Sequence, residues 1–214
     1  MNWTHRRRIG AAVALAALAA CSTPADHLHT LLPAARSAAG PAPAAATHWL
    51  AVQVAVPDAL DRDAWLLRGP GQQVELLEHQ RWPQPLSAEL AQALARRLDP
   101  ALGDPGWVAL SADAAPAATL RVQVRWLAFD AWSLPAPGVH DAWVWTIECG
   151  GRKPGPRAPL ASGRGDYASP SAPAGDDAFD RIAAEHARAL DQAAAAIAAA
   201  WRAQDLVDNR ACAE

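Results

Sequence analysis

The sequence contains no C-x-x-C pair, no Gly-x-Ser-x-Gly, no His-Glu-x-x-His and no phosphate-cradling Gly-x-x-x-x-Gly-Lys-Ser/Thr. Those absences remove a thioredoxin-like centre, a serine-hydrolase elbow, a zinc-protease helix and a P-loop. Its three cysteines have no zinc spacing and no Cys-His nucleophile arrangement. No apolar run is long enough to cross a bilayer core of roughly 30 Å as a helix. A basic excess is missing as well. The 19 basic and 22 acidic residues give a net charge of -3, and loss of residues 1–20, with Arg6, Arg7 and Arg8, leaves 16 basic against 22 acidic. That balance attracts neither nucleic acid nor anionic headgroups.

What is present bounds one globular domain: 214 residues, 51% apolar and 19% charged. The 10 Trp stand beside one Tyr and two Phe in an alanine-rich chain. We read this as base bias in the genome, and the tryptophans as core rather than a binding surface. His5-Arg6-Arg7-Arg8 and the apolar run Ile9–Ala20 form an export signal. Leu18-Ala19-Ala20-Cys21 resembles the lipobox of bacterial lipoproteins. That resemblance implies a signal peptide over residues 1–20, a mature chain beginning at a lipidated Cys21, a domain over 21–206 and a C-terminal tail over 207–214. Ser22 occupies the position that, by the same resemblance, sorts lipoproteins: Asp there retains them at the inner membrane, and Ser lets them pass to the outer one. Cys149, at a strand end, and Cys212, in the tail, either form a disulfide in an oxidising periplasm or remain thiols.

Along the mature chain, His27–Leu32 reads as a short extended piece and Pro33–Thr47 as a loop. Leu50, Val52, Val54 and Val56 alternate on one strand face. Ala64–Arg68 and Gln73–His79 flank Gly69-Pro70-Gly71, a hairpin signature. Pro85 and Ser87 open a helix whose stripe is Leu86, Leu90, Leu94 and Leu98, with Gln92, Arg96 and Arg97 off it, and Pro100 is expected to stop it. Trp107–Leu110 is a short strand. Leu120, Val122, Val124 and Trp126 alternate with Arg121, Gln123 and Arg125, the pattern of a sheet with one wet face. His140–Cys149 alternates too and pairs antiparallel with it, and Ala158–Tyr167 supplies an edge strand. Asp176 or Asp177 caps a long helix with the stripe Phe179, Ile182, His186, Leu190, Ala194, Ile197 and Trp201. The expected architecture is an α/β sandwich: a mixed, largely antiparallel sheet packed by two amphipathic helices.

His27 and His29 share a strand face but lack a third ligand, so no metal site is assigned. Asp58, Asp61 and Asp63 with Arg62 form the densest charge cluster, which reads as a solvated turn before it reads as acid-base machinery. His186 reads as a packing residue. We assign no catalytic residue and no cofactor.

Several motifs converge at this point. The lipobox, His29-Thr30-Leu31, Pro57-x-x-Leu60-Asp61-Arg62, and Arg81-Trp82-x-x-Pro85-Leu86 ahead of a leucine-striped helix resemble the ABC-type transport auxiliary lipoproteins, PqiC-like in kind. The Trp143-x-Trp145 strand and the Ile197-Ala198 helix fit the same pattern. The resemblance implies a non-enzymatic outer-membrane lipoprotein, anchored in membrane lipid through Cys21, that partners an MCE-domain protein of an intermembrane lipid-transport system. A homo-oligomer stays open. Asp61, Arg62, Arg81, Trp82, Pro85 and Leu86 are then either partner-binding or structural. The structural form seats the first helix through Trp82 and pairs Arg81 with Asp61. The alternatives are a carrier with its own acyl-chain pocket and a tethered hydrolase built on Asp58–Asp63.

Overall fold

The structure, a computed structural model, describes residues 25–34, 48–71, 73–102, 107–113, 120–132, 137–149, 158–169 and 177–204. Eight strands and two helices alternate along it: β1 (His27–Leu28), β2 (His48–Ala55), β3 (Ala64–Arg68), β4 (Val74–Arg81), α1 (Leu86–Leu102), β5 (Trp107–Ser111), β6 (Leu120–Trp132), β7 (Gly138–Cys149), β8 (Ala161–Ala168) and α2 (Ala178–Ala203). The strands build two sheets where one was expected, a five-stranded sheet ordered β5-β2-β6-β7-β8 and a three-stranded sheet ordered β1-β4-β3. The β3–β4 hairpin closes in a tight turn. Gly71 takes a φ of 74° there, and the Gly69 N–H closes the turn on the Gln73 carbonyl at 2.9 Å. Its β4 strand pairs with β1 on the other side, and the three strands stay outside the larger sheet.

In the large sheet β2 runs parallel to both β5 and β6, while β6, β7 and β8 are antiparallel. A parallel β2–β5 pair needs a long crossover, and the hairpin followed by α1 supplies it. Alternation does the sorting. Leu50 and Val52, Leu120 and Val122, and Trp145 and Ile147 are buried on the helix side, while Gln53, Arg121 and Gln123 face water. At Leu127, 51% exposed, a bulge between Trp126 and Ala128 shifts the register. The extra residue bends β6 and returns Phe129 and Ala131 to the core side.

The leucine stripe of α1 and Ile182, Leu190, Ile197 and Trp201 of α2 cover that side, all buried. Each fully buried Leu or Ile contributes about 1.5–3 kcal/mol. Ala93, Ala189 and Ala193 are wholly buried, and their small side chains let the two helices lie against each other. Two expectations about helix ends need correction. Pro100 lies inside α1, which runs on to Leu102. Leu102 in that last turn is buried, and the Arg202 guanidinium donates to the Ala101 carbonyl at 3.3 Å. Asp177 does stand at the N-cap of α2, but its carboxylate makes no cap bond; it pairs with Arg181 at 2.9 Å instead. Asp176 lies outside the described residues.

The edge strand β8 is held by shape. Trp143 sits opposite Gly165 and Trp145 opposite Gly163, and each indole lies across its glycine. A Cβ on Gly163 would stand 2.5 Å from the Trp145 ring, and one on Gly165 would stand closer still to Trp143. The indole nitrogens of Trp143 and Trp145 make no hydrogen bond, so packing alone holds these rings. Gly165→Ala is expected to destabilise the domain by about 1–3 kcal/mol through overpacking. A thermal melt indistinguishable from wild type would show that the indole can move aside.

Candidate functional site

The motif residues meet where the hairpin ends and α1 begins. A turn after β2 brings the chain back, with the Leu60 N–H on the Pro57 carbonyl and the Arg62 N–H on the Leu60 carbonyl, both at 2.8 Å. Asp61 then accepts from the Ser87 N–H and the Ser87 hydroxyl, each at 3.0 Å. It caps α1 from a distant stretch of chain and places a negative charge at the helix N-terminus. The Arg62 carbonyl takes the Leu86 N–H at 3.2 Å, and the Asp63 carbonyl takes the Trp82 N–H at 2.7 Å. The Arg62 side chain is exposed. The carbonyl of Pro85 accepts the Ala88 and Glu89 N–H groups, starting the helix.

The expected Arg81–Asp61 pair is replaced by Arg81–Asp63. Register explains the correction: Arg81 lies opposite Ala64 in the hairpin, next to Asp63, while Asp61 is occupied at the helix. The hydrogen bond from Arg81 holds the Asp63 carboxyl below its usual range, and burial opposes that shift more weakly. Asp61 and Asp63 are thus structural partners, which leaves the Asp58–Asp63 cluster without a free pair of carboxylates.

Trp82 is 4% exposed and stacks on Trp65 at 4.5 Å. From there an aromatic ladder crosses the core. Trp82 meets Phe129 edge-on at 6.2 Å, and Phe129 lies parallel to His186 at 3.7 Å. His186 Nδ1 is 2.8 Å from Asp141 Oδ2, and the Trp126 indole donates to Asp141 Oδ1 at 3.1 Å. His186 and Asp141 are fully buried. A His-Asp pair needs a nucleophile to do acyl chemistry. The cavity beside it, about 20 Å³, is lined by Leu60, Trp82, Leu86 and Phe129 among others, with no hydroxyl or thiol in its wall. The pair joins β7 to α2.

Sequence reasoning missed the second half of the site. Glu89 on α1 is 1% exposed. Its Oε1 accepts the Thr30 hydroxyl at 2.6 Å and the Leu31 N–H at 2.8 Å, and its Oε2 accepts the Gln84 amide at 3.0 Å. Arg97 donates to the Leu31 carbonyl at 2.8 Å and pairs with Asp191 of α2 at 2.6 Å. His29 adds its N–H to the Arg81 carbonyl at 2.9 Å, and its ring contacts Gln80 at 2.6 Å and Trp65 at 4.7 Å. The segment His29-Thr30-Leu31 is therefore clamped by β4, α1 and α2. A signal was present: Arg97 falls eleven residues after Leu86, on the leucine stripe itself, and Glu89 three residues after it, on the stripe's flank. Arg97 was placed off that stripe, yet its side chain is 9% exposed. Cys21, Ser22 and Cys212 lie outside the described residues. Cys149 is disulfide-bonded. Among the described residues no group of three or more His, Cys, Asp or Glu side chains is placed to hold a metal ion.

A family model described as the ABC-type transport auxiliary lipoprotein component matches residues 29–198, a span that begins at the clamped histidine. The chain belongs to that family. Two solved structures share the fold of this auxiliary component. One, an uncharacterized protein, is 20% identical, covers 82% of this chain and 97% of its own, and superposes with a TM-score of 0.53. The other, a DUF330 protein from Xanthomonas campestris, is 15% identical over 79% of this chain and 94% of its own, with a TM-score of 0.55. No curated protein matches this chain.

Within the auxiliary component the Trp82 motif holds the hairpin to the helix. Trp82→Ala is expected to cost about 3–5 kcal/mol, the range for emptying a buried tryptophan site, read as a fall in thermal midpoint and in the denaturant midpoint. Stability near wild type would instead mark Trp82 as a contact residue.

Proposed function

We propose that this auxiliary lipoprotein is a non-enzymatic, outer-membrane-anchored subunit of an MCE/ABC-type intermembrane lipid-transport system, facing the periplasm and docking to the MCE-domain protein. The observation that carries the reading is the clamp on Thr30 and Leu31 by Glu89 and Arg97. It ties the chain to the domain's body only nine residues after Cys21, so an acyl anchor there fixes the position of the whole fold. A domain confined near a surface engages a partner at high effective concentration, and even a weak contact then suffices.

Among the described residues the carrier reading finds no enclosed apolar pocket for an acyl chain: the hollow of about 240 Å³ between α1 and β5 sets Ala95, Val108, Ala109 and Leu110 beside four polar residues, Gln92, Arg96, Asp99 and Ser111. The 20 Å³ cavity under the aromatic ladder holds about one water. The experiment for the leading reading is cross-linking in cells, followed by purification of the full-length detergent-solubilised protein and mass spectrometry of what accompanies it. An MCE-domain protein is the expected partner, and its absence from the cross-linked material would overturn the docking role.

The address is tested separately. Each buried CH₂ contributes about 0.8 kcal/mol, so more than one acyl chain on Cys21 makes a lasting anchor. Cys21→Ala is expected to abolish acylation and release the protein from membranes or leave it unprocessed. Ser22→Asp is expected to move the folded protein to the inner-membrane fraction of a density gradient. Wild-type protein already in that fraction would sink the outer-membrane location.

A further inference from the structure

Among the described residues each sheet has one face that no other element covers, and the two faces differ. The large sheet shows water Gln53, Arg121, Gln123 and Arg125. In the small sheet, Trp65 and Leu67 are buried on one side. Its register fixes the other: Leu66 pairs with Leu76, Arg68 with Val74, and both Ala64 and Leu28 with Arg81. Cross-strand partners share a face and alternate residues along a strand share a face, but β4 slips register between Leu77, opposite Trp65, and Arg81, opposite Ala64. The His29 ring packs on Trp65, so its neighbour Leu28 points the other way, to the side of Val74, Leu76 and the half-buried Leu66. Leu28 is 66% exposed, Val74 56% and Leu76 44%, three of the large apolar side chains most exposed among the described residues. Arg68 and Arg81 border the patch, and their charges are answered by Asp130 and Asp63.

The position of this patch in the chain indicates what covers it. Leu28 belongs to β1, the strand by which the tether joins the fold, and Glu89 and Arg97 lock the residues that follow. Six residue steps separate Cys21 from His27, and at full extension they span about 20 Å. A lipid-modified Cys21 therefore holds this face beside the headgroups, whereas the charged face of the large sheet suits water. We infer that the bare apolar face of the three-stranded sheet, centred on Leu28, Val74 and Leu76, rests against the interface of the bilayer that carries the protein's own anchor. The inference depends on the lipid anchor assigned above. The patch is small and the chain carries no basic excess, so it binds lipid weakly by itself; tethering raises its local concentration at the surface. The contact is apolar and is insensitive to salt, unlike one that relies on anionic lipid.

The test uses the full-length acylated protein in phosphatidylcholine vesicles at high salt, with nitroxide labels at Val74→Cys and Leu76→Cys and a reference label at Arg121→Cys. Cys149 is disulfide-bonded and does not take the label. Relative to position 121, labels at 74 and 76 are expected to gain collisions with oxygen, which concentrates in lipid, and to lose collisions with a water-soluble nickel chelate severalfold. Nickel access equal to that at 121 overturns the inference. Loss of both oxygen and nickel access also overturns it, because it reports burial against protein, either a second copy or another partner. The intact mass and vesicle flotation are read on the same samples. A chain with no acyl mass that fails to float overturns the anchor and this inference together, whereas a floating acylated chain with open labels overturns the orientation alone.

Discussion

A carboxylate that is 1% exposed is tolerated only when its oxygens are hydrogen-bonded, and Glu89 meets that condition with donors from Thr30, Leu31 and Gln84. The arrangement works in both directions. Without the incoming segment Glu89 would be a buried charge short of partners, and without Glu89 the Leu31 N–H would lose its acceptor. A hydrophobic replacement could fill the space, but it would not specify which residues of the incoming chain lie there. Arg97 repeats the logic on the carbonyl side of Leu31 while holding Asp191. The segment His29–Leu31, the crossover helix and the closing helix are thereby fixed to one another by two charged side chains on α1.

Around that clamp the core divides its labour between packing and polarity. Trp65, Trp82 and Phe129 supply contact area at the joint between the sheets, and the chain ends there in a buried His186–Asp141–Trp126 cluster. Such a cluster defines how β6, β7 and α2 align, since its hydrogen bonds tolerate little displacement. It is enclosed and has no neighbouring nucleophile in the cavity wall.

The strand and helix periodicities were legible in one dimension. The alternation of Leu120, Val122, Val124 and Trp126 with Arg121, Gln123 and Arg125 was reproduced in the burial of β6, and the stripe from Ile182 to Trp201 became the buried face of α2. The bulge at Leu127 was not legible, because one extra residue in an apolar-rich strand leaves no gap in the pattern. Arg97 was misplaced although it falls on the leucine stripe, because its charge was weighed above its position; the Leu31 carbonyl that receives it comes from 66 residues away.

Local chemistry, acting over a few residues, determined where this chain turns, caps and alternates. The sequence by itself determined the hairpin at Gly69-Pro70-Gly71, the helix beginning at Pro85 and the motifs that resemble the family. Tertiary structure decided which of two aspartates would take Arg81, whether the strands formed one sheet or two, and what Glu89 was for. Each of those outcomes depended on groups brought together from distant stretches, where a hydrogen bond or an ion pair is settled by which partner the fold delivers. Asp61 and Asp63 are alike in chemistry and two residues apart; the register of β3 against β4 gave one of them Arg81, and the position of α1 gave the other Ser87.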